Sequence, residues 1–159
     1  MKKLTLITVL LFISIVSFAS DYIVYKGNST SRFDILFTIK NNRVYQGDGY
    51  AFDEILFTIE DHKIYKGNST SFSDIIYTFK DNQLRLGSGS AFDKALYTIK
   101  DNIIYKEDST SYFDILYTIR DNKLYKGTSS YSDDIIFSMN QSGITMYNIL
   151  LALLVKQYI

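Results

Sequence analysis

The 159-residue chain contains no cysteine, no proline, no tryptophan and a single histidine. Without cysteine there is no disulfide to staple an exported chain, no thiolate nucleophile and no sulfur ligand for a metal. A surplus of either charge is missing too, with 17 basic and 17 acidic residues. Nucleic acid or an anionic membrane would demand a clustered basic surface, so neither is an expected partner. What the chain does have is 14 Tyr and 11 Phe among many Ile and Thr. That composition favours β-structure and argues against disorder.

The dominant feature is a repeat. Six copies of twenty residues run from Asp21 to Asn140 without insertion or deletion, as in DYIVYKGNSTSRFDILFTIK from Asp21 and DHKIYKGNSTSFSDIIYTFK from Asp61. These two match at 12 of 20 positions, and the third copy matches the fifth, from Asp101, at 11. Copies two and four form a second subfamily that shares G-x-A-F-D, with Asp53 and Asp93 one residue earlier than Asp34, Asp74 and Asp114. A three-times-forty period is thus superposed on the twenty-residue unit.

Residues 1–19 read as a secretory signal: Lys2 and Lys3 start it, Leu4 to Val16 form an apolar run, and Ser17-Phe18-Ala19 is a small-x-small cleavage site. The mature chain is expected to begin at Ser20, to reside outside the cytoplasm, and to carry 15 basic against 17 acidic residues. Residues 20–140 form the repeat domain and 141–159 a C-terminal element.

Within each copy, Asp-Ile-Leu-Tyr-Thr-Ile (Asp114 to Ile119) is followed by Asp121-Asn122 and then Lys-Leu-Tyr-Lys-Gly (Lys123 to Gly127). Asp and Asn tolerate positive φ, so the pair predicts a two-residue type I′ hairpin that sets Ile119 opposite Leu124, Thr118 opposite Tyr125 and Tyr117 opposite Lys126. Alternation then sorts the faces. Ile115, Tyr117, Ile119 and Leu124, with their equivalents Ile35, Phe37, Ile39 and Val44, are expected to face the core. Leu116, Thr118, Tyr125 and Gly127 are expected on the other side.

The predicted fold is therefore all-β: six hairpin repeats, about twelve short antiparallel strands, in a rolled or stacked array. A three-fold β-trefoil or β-prism is the alternative that the forty-residue period suggests. Strands of about six residues are too short for a membrane-spanning barrel, which needs roughly 9 to 11, so membrane contact is not expected. Ile144 to Ile159 lacks turn residues and predicts a helix that plugs the open end of the array, with Leu150, Leu153 and Leu154 as its buried contacts.

With its alternating IYKGNST and DILYTI segments and short C-terminal helix, the chain from Asp21 to Ile159 resembles a group of small secreted bacterial hairpin-repeat proteins. The resemblance implies a β-rich repeat domain and export, and carries no activity with it.

Candidate chemistry is sparse. His62 stands where other copies have Asn42, Asn82, Asn102 and Asn122, which makes it a turn residue rather than a catalytic base. Asn68, Asp74, Asp108 and Asp114 could supply oxygen ligands to calcium, but one or two per loop suits backbone satisfaction better, and neither a metal nor a cofactor is predicted. Tyr25, Tyr45, Tyr65, Tyr105 and Tyr125 occupy one repeat position beside a row of threonines, with Arg85 in the fourth copy. Flat rings with hydroxyls suit a glycan or a polypeptide. The leading expectation is an exported, non-enzymatic binding or surface-structural module. The alternative is a small hydrolase at the repeat-breaking residues Arg85, Lys94 and Glu107.

Overall fold

The computed structural model describes residues 21–49, 55–90 and 93–140; the signal segment expected over 1–19, Asp53 and the C-terminal helix expected over 144–159 lie outside them. Twelve strands follow one another: β1 (Tyr22–Lys26), β2 (Ile35–Lys40), β3 (Arg43–Gln46), β4 (Ile55–Glu60), β5 (Lys63–Lys66) and β6 (Ile75–Lys80) make the first half. The second half is β7 (Gln83–Leu86), β8 (Ala95–Lys100), β9 (Ile103–Lys106), β10 (Ile115–Arg120), β11 (Lys123–Lys126) and β12 (Ile135–Met139). Each strand pairs with its neighbours in sequence and β1 pairs with β12, so the sheet closes into a barrel with no free edge. The rolled array is the one the chain adopts, in place of a three-fold trefoil or prism.

The tight turns behave as their residue types dictate. Asn41-Asn42, Asp61-His62, Asp81-Asn82, Asp101-Asn102 and Asp121-Asn122 all hold φ between 47° and 63°. The expected register follows, with Tyr117 opposite Lys126, Thr118 opposite Tyr125 and Ile119 opposite Leu124. His62 is such a turn residue, and its carbonyl accepts from the Phe79 N–H at 2.7 Å.

One face assignment requires correction. Each even strand carries a β-bulge near its start: Val24 pairs with Phe37 but Tyr25 pairs with Ile35, which leaves Leu36 as the extra residue. A bulge shifts the alternation by one. Ile35 therefore lies on the tyrosine side, and Leu36, Leu56, Ile76, Leu96 and Ile136 pack against the core instead. The freed carbonyl is used across the ladder, as where Leu36 O accepts from the Gly47 N–H at 2.9 Å. Beyond the bulge the predicted faces hold, and Val24, Phe37, Val44, Ile104 and Leu124 are completely buried. A single apolar cluster drawn from all twelve strands fills the inner side of the wall.

The chain enters on the second strand of a hairpin and ends on the first strand of another. Strands β12 and β1 therefore complete a sixth hairpin without a covalent turn, with Val24 opposite Met139 and Tyr25 opposite Ser138. Asn140 clasps this seam: its Oδ1 accepts from the Ile23 N–H at 2.9 Å, its Nδ2 donates to Asp21 O at 3.1 Å, and its own N–H donates to Ile23 O at 3.2 Å. An ion pair between Lys40 and Asp21 at 3.5 Å lies beside it.

Candidate binding surface at the loop rim

All long connections lie at one end of the barrel and all tight turns at the other, because the strands alternate in direction. In the odd copies and the last, the long loop is built on a serine and an aspartate. Ser29 Oγ donates to Asp34 Oδ2 at 2.6 Å, and Ser69 with Asp74, Ser109 with Asp114 and Ser129 with Asp134 repeat this bond at 2.5 to 2.6 Å. The same serine oxygen accepts the N–H two residues on, from Ser31, Ser71, Ser111 or Tyr131. These carboxylates close loops. Asn68 accepts from Arg43 Nε at 2.8 Å, and among the described residues no group of His, Cys, Asp or Glu is arranged to hold a metal ion.

Closing the loop this way forces a single 3-10 turn, at Arg32–Asp34, Phe72–Asp74, Tyr112–Asp114 and Ser132–Asp134. None of their side chains is buried. Phe33 is 98 % exposed and Phe113 is 94 % exposed, while Phe72, Tyr112 and Tyr131 also stand mostly in solvent. These aromatics, set among serine and threonine, were not predicted as a site. Their sequence signal is an aromatic in the eleventh to thirteenth position of a copy.

Four of the five predicted tyrosines each stand opposite a threonine, Tyr45 with Thr38, Tyr65 with Thr58, Tyr105 with Thr98 and Tyr125 with Thr118, while Tyr25 stands opposite Ser138. The four lie in one row. They lie on the outer side of the wall and are nonetheless only 5 to 9 % exposed. The long loops fold back over them. Thr38 Oγ1 donates to Gly47 O at 2.9 Å, with the same bond at Thr58, Thr78, Thr98 and Thr118. The Arg120 guanidinium stacks 4.7 Å from the Tyr125 ring centre. Little ring face is left for stacking at these four positions. Tyr25 is less covered and forms the floor of an open groove with Ile23, Ile35 and Thr38. Thr30 and the ion pair Arg32–Asp48, at 2.7 Å, wall it in.

The sequence model of the 6-fold beta flower protein family matches residues 24–152. The chain belongs to that family. Its six hairpins are the six folds of the flower, and the match begins within β1 and continues past β12. No curated protein and no solved structure matches the chain significantly.

In this flower the residues that break the repeat do come together. Lys94 Nζ lies 3.0 Å from Glu107 Oε1, and Arg85 donates to Asp93 O at 2.9 Å and to Gln83 Oε1 at 2.5 Å. The hydrogen bond and charge of Lys94 hold the Glu107 carboxyl below the usual carboxylate range. Such a group is ionised at neutral pH and about half exposed, with 45 % of its side chain open to solvent, whereas a general acid or base needs a pKa near the working pH. Arg85 is already committed to backbone and Gln83. The cluster pairs its charges at the loop ends of β7, β8 and β9.

Proposed function

We propose that this flower is an exported binding or surface-structural protein that holds a glycan, or a polymer of like chemistry, with the aromatics of its loop rim. The observation that carries the reading is the near-complete exposure of Phe33 and Phe113 on turns pinned by Ser–Asp bonds. Large apolar side chains fixed in water signal a contact surface. Sugar rings offer apolar faces for such rings, and the surrounding hydroxyls suit their polar edges. The groove over Tyr25 adds a concave position on the same side of the barrel, with Arg32, the residue before Phe33, and Asp48 as hydrogen-bonding walls. The basic start, apolar run and small-x-small site of residues 1–19 support export, for which intact mass of the secreted product should show Ser20 first.

A glycan array and isothermal titration with the mature protein test the reading. Phe33→Ala and Phe113→Ala should each weaken binding about tenfold, the scale of one lost aromatic contact. The melting temperature should hardly move, because neither ring is buried and the one ring contact of Phe113, edge-on to Tyr112 at 6.1 Å, is itself exposed. Failure to bind any glycan, or binding indifferent to both substitutions, would falsify the glycan reading. A polypeptide captured through the same rings would redirect it to a protein partner.

A further inference from the structure

We infer, in a step that rests on the glycan reading of the rim, that the groove over Tyr25 holds one uncharged sugar ring of the bound chain, and that the departure of the seam hairpin from the repeat is what opens it. In the five hairpins with a covalent turn, the threonine hydroxyl ties the loop down at its first residue. Thr38 Oγ1 donates to Gly47 O, Thr58 to Gly67 O, Thr78 to Gly87 O, Thr98 to Glu107 O and Thr118 to Gly127 O, all at 2.7 to 2.9 Å. At the seam the residue is Ser138, and its Oγ donates to Ser29 O at 2.5 Å. The first loop is thus anchored two residues further along.

The consequence is seen in the tyrosines beneath the loops: Tyr45, Tyr65, Tyr105 and Tyr125 are buried, whereas Tyr25, opposite Ser138, is only partly covered. A second departure keeps the opening clear. Ile23 stands opposite Thr38 as Arg43 stands opposite Thr58, and Arg43 crosses to the next loop, where its Nε donates to Asn68 Oδ1 at 2.8 Å. Ile23 has no polar end for such a bridge. Asp48, which holds the repeat position of Asn68, binds Arg32 instead. The fifth copy also carries isoleucine here, Ile103, yet Thr98 ties its loop at Glu107 and Tyr105 stays covered. Isoleucine alone opens nothing; the serine tie is needed as well.

The lining suits a single ring. Ile23, Ile35 and Tyr25 give an apolar floor, and Thr30, Arg32 and Asp48 stand at the sides of a cavity of about 360 Å³. That lies at the low end of small-ligand sites, which run from about 300 to 1,000 Å³. A sugar ring has an apolar face for the tyrosine and an edge of hydroxyls, each both donor and acceptor.

Arg32 and Asp48 then sort the guest by charge. The guanidinium Nε and Nη2 both lie 2.7 Å from Asp48 Oδ2, which leaves Oδ1 to accept from one hydroxyl and the remaining guanidinium hydrogens to donate to another. The pair is neutral as a whole. A ligand carboxylate would meet the charge of Asp48 and an ammonium that of Arg32, so an uncharged ring bearing hydroxyls is favoured over either.

Two substitutions that write the repeat back into the seam test the subsite. Ser138→Thr restores the tie at the first loop residue, and Ile23→Arg supplies the bridge that Arg43 makes. Cellohexaose, xylohexaose and N-acetylchitohexaose are titrated calorimetrically into the mature chain and both variants. Each substitution should weaken the hexasaccharide bound best by about tenfold or more, with β circular dichroism unchanged, because other copies already carry these residues in the same registers. The hexamer of galacturonic acid, with a carboxylate on every ring, should bind the unsubstituted chain at least about tenfold more weakly than the best neutral one. Binding that Phe113→Ala weakens but both seam substitutions leave unchanged overturns the groove and spares the rim. Equal binding of the acidic hexamer overturns the choice of an uncharged ring. If the unsubstituted chain binds none of the three neutral probes, the glycan reading falls and the groove with it. Should Ser138→Thr fail to fold, Ile23→Arg decides alone, since its side chain lies at the edge of the groove and outside the buried core.

Discussion

Five hairpins of this barrel are tied by Asp-Asn type turns, and the sixth, β12 with β1, is tied only by contacts. The register is nonetheless the same: Met139 stands where Ile119 does, Ser138 replaces Thr118, and Val24 takes the place of Leu124. What differs is the cost of coming apart. A covalent hairpin keeps its strands at high effective concentration after a fluctuation, whereas the seam rejoins residues more than a hundred positions apart in sequence. Side-chain bonds from Asn140 do at the seam what positive φ does at the turns. Ring closure of a repeat thus needs one specialised residue and no change in the repeat itself.

The largest effects are expected where the two kinds of hairpin are equal. Val24→Asp at the seam and Leu124→Asp in a covalent hairpin both place a charge at a completely buried position, and each should cost about 3 kcal/mol or more, enough to unfold a small domain. Urea titration of the pair checks this. A seam variant that stayed folded would mean the barrel tolerates opening at β12 and β1.

Smaller and more discriminating is a matched glycine substitution. Asn140→Gly removes the clasp and should destabilise by about 1 to 2 kcal/mol, while Asn122→Gly keeps a turn residue that tolerates positive φ and should change stability by no more than a few tenths. Hydrogen exchange should then quicken at Val24 and Met139 in the first variant alone. Equal losses in both would remove the distinction between clasp and turn.

Away from the seam, Glu107 begins its loop at φ 56°, where the other copies place a glycine. Glu107→Gly should stabilise the protein by about 1 kcal/mol, read as a rise in melting temperature, without slowing exchange at the seam. The ion pair it forfeits is exposed and contributes little. Last in size is Lys94→Ala, which should let the Glu107 carboxyl titrate back up toward its ordinary range, as followed by carboxyl NMR. Because the folded pKa is lowered, the pair's small contribution is present at neutral pH and lost as pH falls through that value. An unchanged titration would mean that another group holds the carboxyl down.

Much of this was legible in the chain. Asp121-Asn122 between two alternating runs fixes a type I′ turn and the register of its hairpin, since residue chemistry and a period of two leave no freedom there. The bulge at Leu36 and its equivalents was not legible, because Ile-Leu in sequence satisfies either face and only the backbone pairing shows which residue is extra. Closure has a signal in the chain as well: the first copy opens on the second strand of a hairpin and the last ends on a first strand, so the two halves complement each other. The burial of Tyr45, Tyr65, Tyr105 and Tyr125 goes with loops tied back through threonine bonds to the carbonyls of Gly47, Gly67, Glu107 and Gly127, a contact nine residues away that no local pattern encodes. The exposed loop aromatics were visible as a periodic residue, but nothing in the sequence says that the Ser–Asp bond turns them outward.

The seam also gives the molecule a polarity. Asp21 and Asn140 meet at the turn end, so whatever is joined to the barrel through either residue attaches at one place on that side. The loops with Phe33, Phe72, Tyr112, Phe113 and Tyr131 face the opposite way. A tether on either side of the repeat domain therefore holds the barrel like a flower on its stem, and can be lengthened or exchanged without shading the rim.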